Sequence, residues 1–339
     1  MNTPEIEYEK RVSEENRRAV VEYISGFPEG GPPAILSLEH LSLLIGIRAE
    51  TIFGITNSPS SFYRTFKLKK ARGGFRRIDA PLPSVLMIQQ WILSNILEKI
   101  ECHPAAKAYI RGQSIKTNAK FHRAQKYILK VDVENFFGSI KEYHVANVFI
   151  DIGYTTAVSV GLAKLCCLNG CLPQGAATSG YLSNIILKKF DKEVFDFSRD
   201  LKLRYSRYAD DITFSGESID KPDVIKKVVD LFKPLSLKIN RQKTKLVAKN
   251  NKQKVTGVVV NKKLSVEKTY LRDLRKSHYF VMKHGIFGHA RYNKPTSPKV
   301  LLDQLIGKVS FAIFIRHEDK KLLSMKEDLL KERKTAFGY

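Results

Sequence analysis

The sequence predicts an α+β fold, and two patterns support this prediction. Helical periodicity covers long segments, notably 84–100, 142–168 and 178–198. Between them lie runs rich in Tyr, Ile, Thr, Val and Phe, at 126–140 and 203–216, which are typical of strands. The 339-residue chain is 43% hydrophobic, so it can build a sizeable core. Its length suggests more than one folding unit.

The predicted elements continue along the whole chain. Residues 1–34 form a polar extension with a helical piece, closed by the breaker-rich loop GFPEGGPP. Residues 36–47 have apolar side chains at helical spacing, and 62–83 read as two basic strands joined by Gly73-Gly74. After a central hairpin, VIKKVVDLFKPL predicts a helix, and KTKLVAK and KVTGVVVN predict further strands. Residues 264–339 are rich in helix and strongly basic.

The charge points to a nucleic-acid partner. Lys and Arg number 58 against 34 Asp and Glu, for a net charge of +24. Residues 238–339 alone carry 25 basic and 8 acidic side chains, which suggests a clamp for a polyanion. No apolar run reaches the roughly 18 residues of a membrane span, and the polar, acidic N-terminus is unlike a signal peptide. We therefore expect a cytoplasmic protein with no membrane partner.

The four cysteines do not indicate a metal site. Cys166, Cys167 and Cys171 lie close together, but they lack the C-x₂-C pairs of zinc sites. Cys102 is remote in sequence. Core thiols in a reducing compartment are the favoured interpretation.

The segment RYADDITFS places two adjacent aspartates, Asp210 and Asp211, inside a strand-like run. A polar hairpin tip is one explanation, since Asp is common in turns. A second explanation is a metal site shared with Asp132, which ends an apolar strand and precedes Asp210 by 78 residues. Together the three carboxylates could hold two Mg²⁺ ions about 4 Å apart, which would activate a 3′-hydroxyl and stabilise leaving pyrophosphate. Metal ions would then relieve the repulsion between adjacent aspartates.

Three motifs give these carboxylates a family context. YADD, an Asp followed by paired phenylalanines, and LPQG occur in the order and approximate spacing of reverse transcriptase palm motifs. A nucleotide cyclase palm would instead carry a GG-[DE]-EF hairpin, which is absent. The chain therefore resembles a reverse transcriptase. That resemblance implies a right hand with fingers at 35–125, palm at 126–260 and a basic helical thumb at 261–339. It also implies an RNA-directed DNA polymerase in which Asp132, Asp210 and Asp211 are the catalytic metal ligands.

The resemblance assigns nucleotide contacts as well. Arg76, with Lys70 nearby, would meet the triphosphate of an incoming deoxynucleotide, for which the guanidinium fork is suited. Phe137 would lie beneath the sugar and exclude a 2′-hydroxyl. Gln174 would touch the nucleotide or template, and Lys243 in an N-x-x-K-T pattern would protonate pyrophosphate. For Arg76 and Lys70 the alternative is a solvated basic hairpin. For Phe137 it is an aromatic of the core, and for Lys243 a plain surface lysine.

Two further signatures narrow the family. Asn118 and His122 match the N-A-x-x-H signature of retron reverse transcriptases. Thr256 and Gly257 match the V-T-G signature of the same family. By this resemblance the four residues would contact RNA. A satisfied core histidine, and a strand with a close-packed glycine, are the structural alternatives.

Retron enzymes bind a structured noncoding RNA from their own locus and copy part of it into single-stranded DNA. Priming from an internal guanosine 2′-hydroxyl leaves a branched product, and these systems act in anti-phage defence with a separate effector protein. Intron-type, diversity-generating and abortive-infection reverse transcriptases remain alternatives, although no maturase or endonuclease region follows the thumb. A non-catalytic RNA scaffold is disfavoured, because its three carboxylates would repel RNA phosphates.

Overall fold

The computed structural model describes residues 14–69, 73–292 and 297–338. Lys70 and the first 13 residues of the N-terminal extension lie outside these described residues. The helices are α1 Glu14–Ser25, α2 Leu38–Ile45, α3 Ala49–Asn57, α4 Pro83–Asn95, α5 Ile115–Phe121, α6 Phe136–Ser139, α7 Glu142–Ile152, α8 Thr156–Cys166, α9 Ser179–Ile186, α10 Lys188–Asp200, α11 Lys221–Phe232, α12 Lys268–Tyr292, α13 Pro298–Ile315 and α14 Lys320–Phe337. The strands are β1 Tyr63–Lys69, β2 Phe75–Pro81, β3 Tyr127–Val133, β4 Arg204–Tyr208, β5 Asp211–Gly216, β6 Ile239–Ala248, β7 Lys254–Val255 and β8 Val258–Val259.

An antiparallel sheet of four strands, in the order β4–β5–β3–β6, occupies the centre of the molecule. Side chains of β3 alternate between its two faces. Leu129, Val131 and Val133 are buried on one face, in the main core. Lys130 and Asp132 share the other face and are only half-buried. The central strand therefore presents charged groups to an open side while its apolar side anchors the sheet.

Two hydrophobic cores support this sheet. The larger one joins α2–α4 and α7–α11 to the apolar face. The smaller one contains the inner faces of α12–α14 and also Ile128, Val255 and Val258. Ala119 of α5 belongs to this second core, although it lies within the predicted fingers segment. Thus α5 and the β7–β8 hairpin connect the sheet to the C-terminal helices.

The predicted basic hairpin is present as β1 and β2. These strands pair from Tyr63 with Pro81 to Lys69 with Phe75. Gly73 and Gly74 both have positive φ, as the intervening turn requires. Most of the hairpin is exposed, and only its base packs onto the rest of the protein.

The C-terminal region contains α12–α14, packed around the second core. Gly285 breaks α12 with φ 67° and ψ 167°. The Glu332 carboxylate of α14 accepts a hydrogen bond from the Ile286 N–H at 2.7 Å, which satisfies a donor that the break exposes. The described part of this region is helical, as predicted.

One predicted strand is wrong. KVTGVVVN was expected to form a single strand, but β7 and β8 are two short strands joined by Thr256 and Gly257. Both turn residues have positive φ, 47° and 83°, which is typical of a two-residue hairpin turn. No helix in the described part of the chain is long and apolar enough to cross a bilayer.

Candidate active site

The sheet register brings the three predicted carboxylates to one end of β3 and β5. Asp132 is the direct cross-strand partner of Asp211, so their side chains share a face. Asp210 lies in the turn between β4 and β5, beside this pair. Burial raises the pKa of Asp210 above its usual range, and the Asp132 carboxylate adds to the rise. Residues far apart in sequence therefore form one acidic cluster.

The turn that carries Asp210 has an uncommon backbone. Tyr208 pairs with Asp211, leaving Ala209 and Asp210 as a two-residue loop. Ala209 has φ 56°, in the left-handed region that a residue with a Cβ rarely adopts. The Val133 N–H donates to the Asp210 carbonyl at 3.1 Å and secures the loop against β3. Such strain is tolerated where surrounding contacts hold it, often at functional sites.

Lysines engage two of the carboxylates. Lys130 Nζ lies 3.0 Å from Asp211 Oδ1, and Lys243 Nζ lies 2.9 Å from Asp132 Oδ2. Among the described residues, no three acidic, His or Cys side chains converge as a preformed metal cage. The donor set nevertheless fits Mg²⁺, which binds carboxylate oxygens at one or two positions and keeps several waters.

The structure explains how Lys243 reaches Asp132. The pairing of β3 with β6 shifts register between Lys130 and Asp132, so β6 bulges at this point. Within the bulge, Asn240 Oδ1 accepts from the Lys243 N–H at 3.1 Å, and the Thr244 hydroxyl donates to the Asn240 carbonyl at 2.8 Å. The N-x-x-K-T pattern thus specifies a local turn that points a lysine into the site.

A cleft of about 690 Å³ opens beside the acidic cluster. Its lining includes all four residues predicted to contact the nucleotide: Arg76, Phe137, Gln174 and Lys243. Asp210 lines the same cleft. Basic, aromatic and amide groups from four separate chain segments therefore converge next to the carboxylates.

The two adjacent phenylalanines have different environments. Phe136 is 6% exposed and packs in the main core, whereas Phe137 is half-buried and lines the cleft. Tyr109 lies near Phe137, with ring centroids 6.3 Å apart, and it too lines the cleft. Its ring covers the backbone of α9 so closely that a Cβ at Gly180 would lie 2.4 Å from it. Sequence reasoning missed Tyr109, because a single aromatic in a loop carries no distinctive pattern.

The LPQG loop docks the basic hairpin onto the site. The Asp79 N–H of β2 donates to the Gln174 carbonyl at 3.0 Å. Gly175 has φ 144°, and a Cβ there would lie 2.6 Å from the Asp79 carbonyl oxygen. Arg77 Nε also donates to Asp79 Oδ1 at 2.8 Å. The close backbone approach at Gly175 therefore holds Arg76, the neighbour of Arg77, over the cleft.

The prediction that Asn118 and His122 contact RNA is wrong. Both side chains are completely buried between α5 and the sheet, on the face that also carries Lys130 and Asp132. His122 Nδ1 and Nε2 lie 2.7 Å from the hydroxyls of Ser215 and Ser206, and Ser206 donates to Asn118 Oδ1 at 2.6 Å. Burial lowers the pKa of His122 to about 3, so it stays neutral. This motif joins α5 to β4 and β5.

Thr256 and Gly257, which were predicted to contact RNA, differ in their surroundings. The Thr256 hydroxyl donates to the Ile115 carbonyl at 3.0 Å, which ties the β7–β8 turn to the start of α5. Gly257 is exposed and would have no atom within 4 Å of an added Cβ, so the alternative of a close-packed glycine is wrong. Its positive φ, not packing, explains why glycine occupies this position.

Comparisons with known proteins show the family of the chain. The family described as reverse transcriptase (RNA-dependent DNA polymerase) matches residues 68–260. The retron Ec86 reverse transcriptase of Escherichia coli is 32% identical over 77% of this chain and 83% of its own length. The retron Ec83 reverse transcriptase of the same organism is 34% identical over 65% of this chain and 77% of its own. A solved telomerase from Candida albicans is similar with a TM-score of 0.44 and 11% identity, over 82% of this chain and 61% of the solved chain.

Proposed function

Because this chain belongs to the reverse transcriptase family, and within it to the retron reverse transcriptases, we propose that it copies part of a structured noncoding RNA from its own locus into single-stranded DNA. RNA-directed DNA polymerase activity follows from the family itself. The proposal adds priming from an internal guanosine 2′-hydroxyl, which leaves a branched RNA–DNA product. It also adds a role in anti-phage defence, with an effector protein encoded nearby, in the cytoplasm where the RNA is made.

The observation that carries this proposal is the acidic cluster at the edge of the cleft. Asp132 and Asp211 are cross-strand partners, and Asp210 lies in the adjoining turn. These are the residues we assign to hold two Mg²⁺ ions. When bound, such ions would activate the attacking hydroxyl and stabilise the leaving pyrophosphate. The hydrogen bond from the Val133 N–H to the Asp210 carbonyl holds the strained loop against β3, next to Asp132.

The cleft supplies candidate contacts for an incoming deoxynucleotide. Arg76, carried by the docked hairpin, would bind the triphosphate through bidentate hydrogen bonds. Phe137 would form the floor beneath the sugar, where its ring leaves no space for a 2′-hydroxyl. Gln174, which lines the same cleft, would contact the base or the template. Lys243, held beside Asp132, would donate a proton to the departing pyrophosphate.

The RNA would extend from the cleft across the basic C-terminal region. Residues 238–339 carry 25 of the chain's 58 Lys and Arg residues. Phosphate contacts of this kind give affinity and position without reading sequence. The exposed turn at Gly257 stays a candidate RNA contact, whereas Thr256 would act by holding that turn against α5.

The test is to express the chain together with its native flanking DNA and to analyse the nucleic acid that co-purifies. An RNase-trimmed single-stranded DNA is expected from the wild-type protein and should be missing from an Asp210→Ala, Asp211→Ala double variant. A mobility shift after treatment with debranching enzyme would support priming from a 2′-hydroxyl. Bound RNA alone, unchanged by the double substitution, would favour the non-catalytic scaffold.

A further inference from the structure

Lys130 lies on the same face of β3 as Asp132, two residues away, and contacts a different member of the acidic cluster. Its Nζ atom lies 3.0 Å from Oδ1 and 3.1 Å from Oδ2 of Asp211. The Lys130 side chain is 29% exposed and that of Asp211 is 30% exposed, so the contact is partly shielded from water. One ammonium group therefore engages both oxygens of this carboxylate.

The same oxygens are those that a divalent cation would need. An ammonium group and a metal ion both bind to carboxylate oxygens, and their positive charges repel each other. The two therefore compete for Asp211. Lys130 sits in the regular part of β3, with Thr213 on β5 and Lys245 on β6 as its direct neighbours. Because β3 is hydrogen-bonded on both sides, only the Lys130 side chain can move away when a cation approaches Asp211.

We propose that Lys130 is a built-in counter-cation, which holds Asp211 in the metal-free protein and is displaced when a divalent ion binds. This inference rests on the proposed function, because it assumes that the acidic cluster is the metal site. It assigns Lys130 a positioning role that differs from that of Lys243. Lys243 is 59% exposed on a bulge and contacts Asp132, whereas Lys130 holds the neighbouring carboxylate from inside the sheet. Lys130 thereby stabilises the repelling carboxylates and sets the affinity for the metal.

Lys245 provides a matched control. It is the cross-strand partner of Lys130 on β6, so it lies on the same face of the sheet. Lys245 is exposed, and the carboxylates of Asp132 and Asp211 are engaged by the other two lysines. Lys245→Met removes the same charge close to the cluster without removing the contact to Asp211.

The experiment measures Mn²⁺ binding to the full chain, freed of nucleic acid, by electron paramagnetic resonance, together with the melting temperature. Lys130→Met should bind Mn²⁺ about 1.4- to 5-fold more tightly than wild type, the range expected for losing a partly exposed ion pair. Its metal-free melting temperature should fall, and added Mn²⁺ should raise that temperature more than it does for wild type. Lys245→Met should bind Mn²⁺ as wild type does.

Unchanged or weaker Mn²⁺ binding by Lys130→Met, with saturable binding by wild type, would overturn the displacement role alone. Asp210→Asn separates this outcome from failure of the site. If Asp210→Asn binds Mn²⁺ as tightly as wild type does, the metal binds elsewhere. That result would overturn both the role of Lys130 and the assignment of the acidic cluster.

Discussion

Arg207 and Asp191 form a completely buried ion pair beneath the hairpin that carries the acidic cluster. Arg207 Nη2 lies 2.5 Å from Asp191 Oδ2, and its Nε donates to Asp191 Oδ1 at 2.9 Å. The same guanidinium donates to Asn184 Oδ1 at 3.1 Å and to the Ala209 carbonyl at 3.4 Å. A single side chain thus joins α9 and α10 to the strained turn residue that precedes Asp210.

Removing Arg207 should strongly destabilise the protein. Arg207→Met leaves Asp191 without its cation in a fully buried position, which typically costs about 3–5 kcal/mol. The free energy of unfolding in urea should fall by that amount. Combining it with Asp191→Asn should cost less than the sum of the single substitutions, because the two groups are coupled. Additive effects would show that the pair does not act as a unit.

Gly175→Ala should impair nucleotide binding through the docked hairpin. The new Cβ would lie 2.6 Å from the Asp79 carbonyl oxygen, so β2 must move. Because Arg76 lies on β2, the KM for deoxynucleotide should rise by about tenfold or more, as small misplacements of binding groups are costly. Steady-state kinetics on an RNA template measures this change.

Gly307→Ala is the matched control for that change. Gly307 lies in α13 with no atom within 4 Å of an added Cβ, and Ala favours a helix. The control should keep the wild-type KM. An equal rise in both variants would argue against docking at Gly175.

Phe137→Ala should relax discrimination against ribonucleotides. Opening the cleft floor leaves room for a 2′-hydroxyl, and size selection of this kind is typically worth about 10- to 200-fold. The ratio of kcat/KM for deoxynucleotides to kcat/KM for ribonucleotides should therefore decrease by about 10- to 200-fold. Phe136→Ala, at a buried position, should instead reduce stability by about 3–5 kcal/mol. An unchanged ratio in Phe137→Ala would contradict the sugar contact.

His122 should make the protein sensitive to acid. Its pKa falls from the ordinary 6.5 to about 3 because burial disfavours the charged form. Below pH 6.5 His122 is protonated in the unfolded chain but stays neutral in the native protein. The free energy of unfolding therefore decreases by up to about 1.4 kcal/mol per pH unit towards pH 3. His122→Gln should lower stability at neutral pH yet show a shallower decline. Urea unfolding between pH 7 and 4 compares the two slopes, and identical slopes would contradict a neutral buried imidazole.

The sequence offered candidate site residues but not the contacts that support them. Asp132, Asp210 and Asp211 were recognisable because acidic residues within apolar, strand-like runs need a compensating partner. Phe137 was also recognisable as a candidate, because it follows Asp132 at the spacing of the family motif, and the structure places its ring in the cleft. Local patterns of this kind carry their chemistry in a few adjacent residues.

The role of the buried polar signature could not be predicted in the same way. Asn118 and His122 are polar, and a polar residue gives no local sign of whether its partners are RNA or buried serines. Ser206 and Ser215 lie more than 80 residues further along the chain, so only the fold brings them to His122. The same holds for Arg207 and for Lys130, because only the fold brings Asp191 to Arg207 and Asp211 to Lys130.

We propose that RNA-directed DNA synthesis by this protein depends on the acidic cluster. The most direct test of this dependence is primer extension by the purified chain, freed of nucleic acid, on an RNA template with a DNA primer, deoxynucleotides and Mg²⁺. Wild type and the exposed-site control Asp200→Asn should extend the primer at equal rates. Asp210→Asn should keep the wild-type melting temperature within a few degrees and abolish extension. Extension by Asp210→Asn at the wild-type rate would show that DNA synthesis does not depend on the acidic cluster.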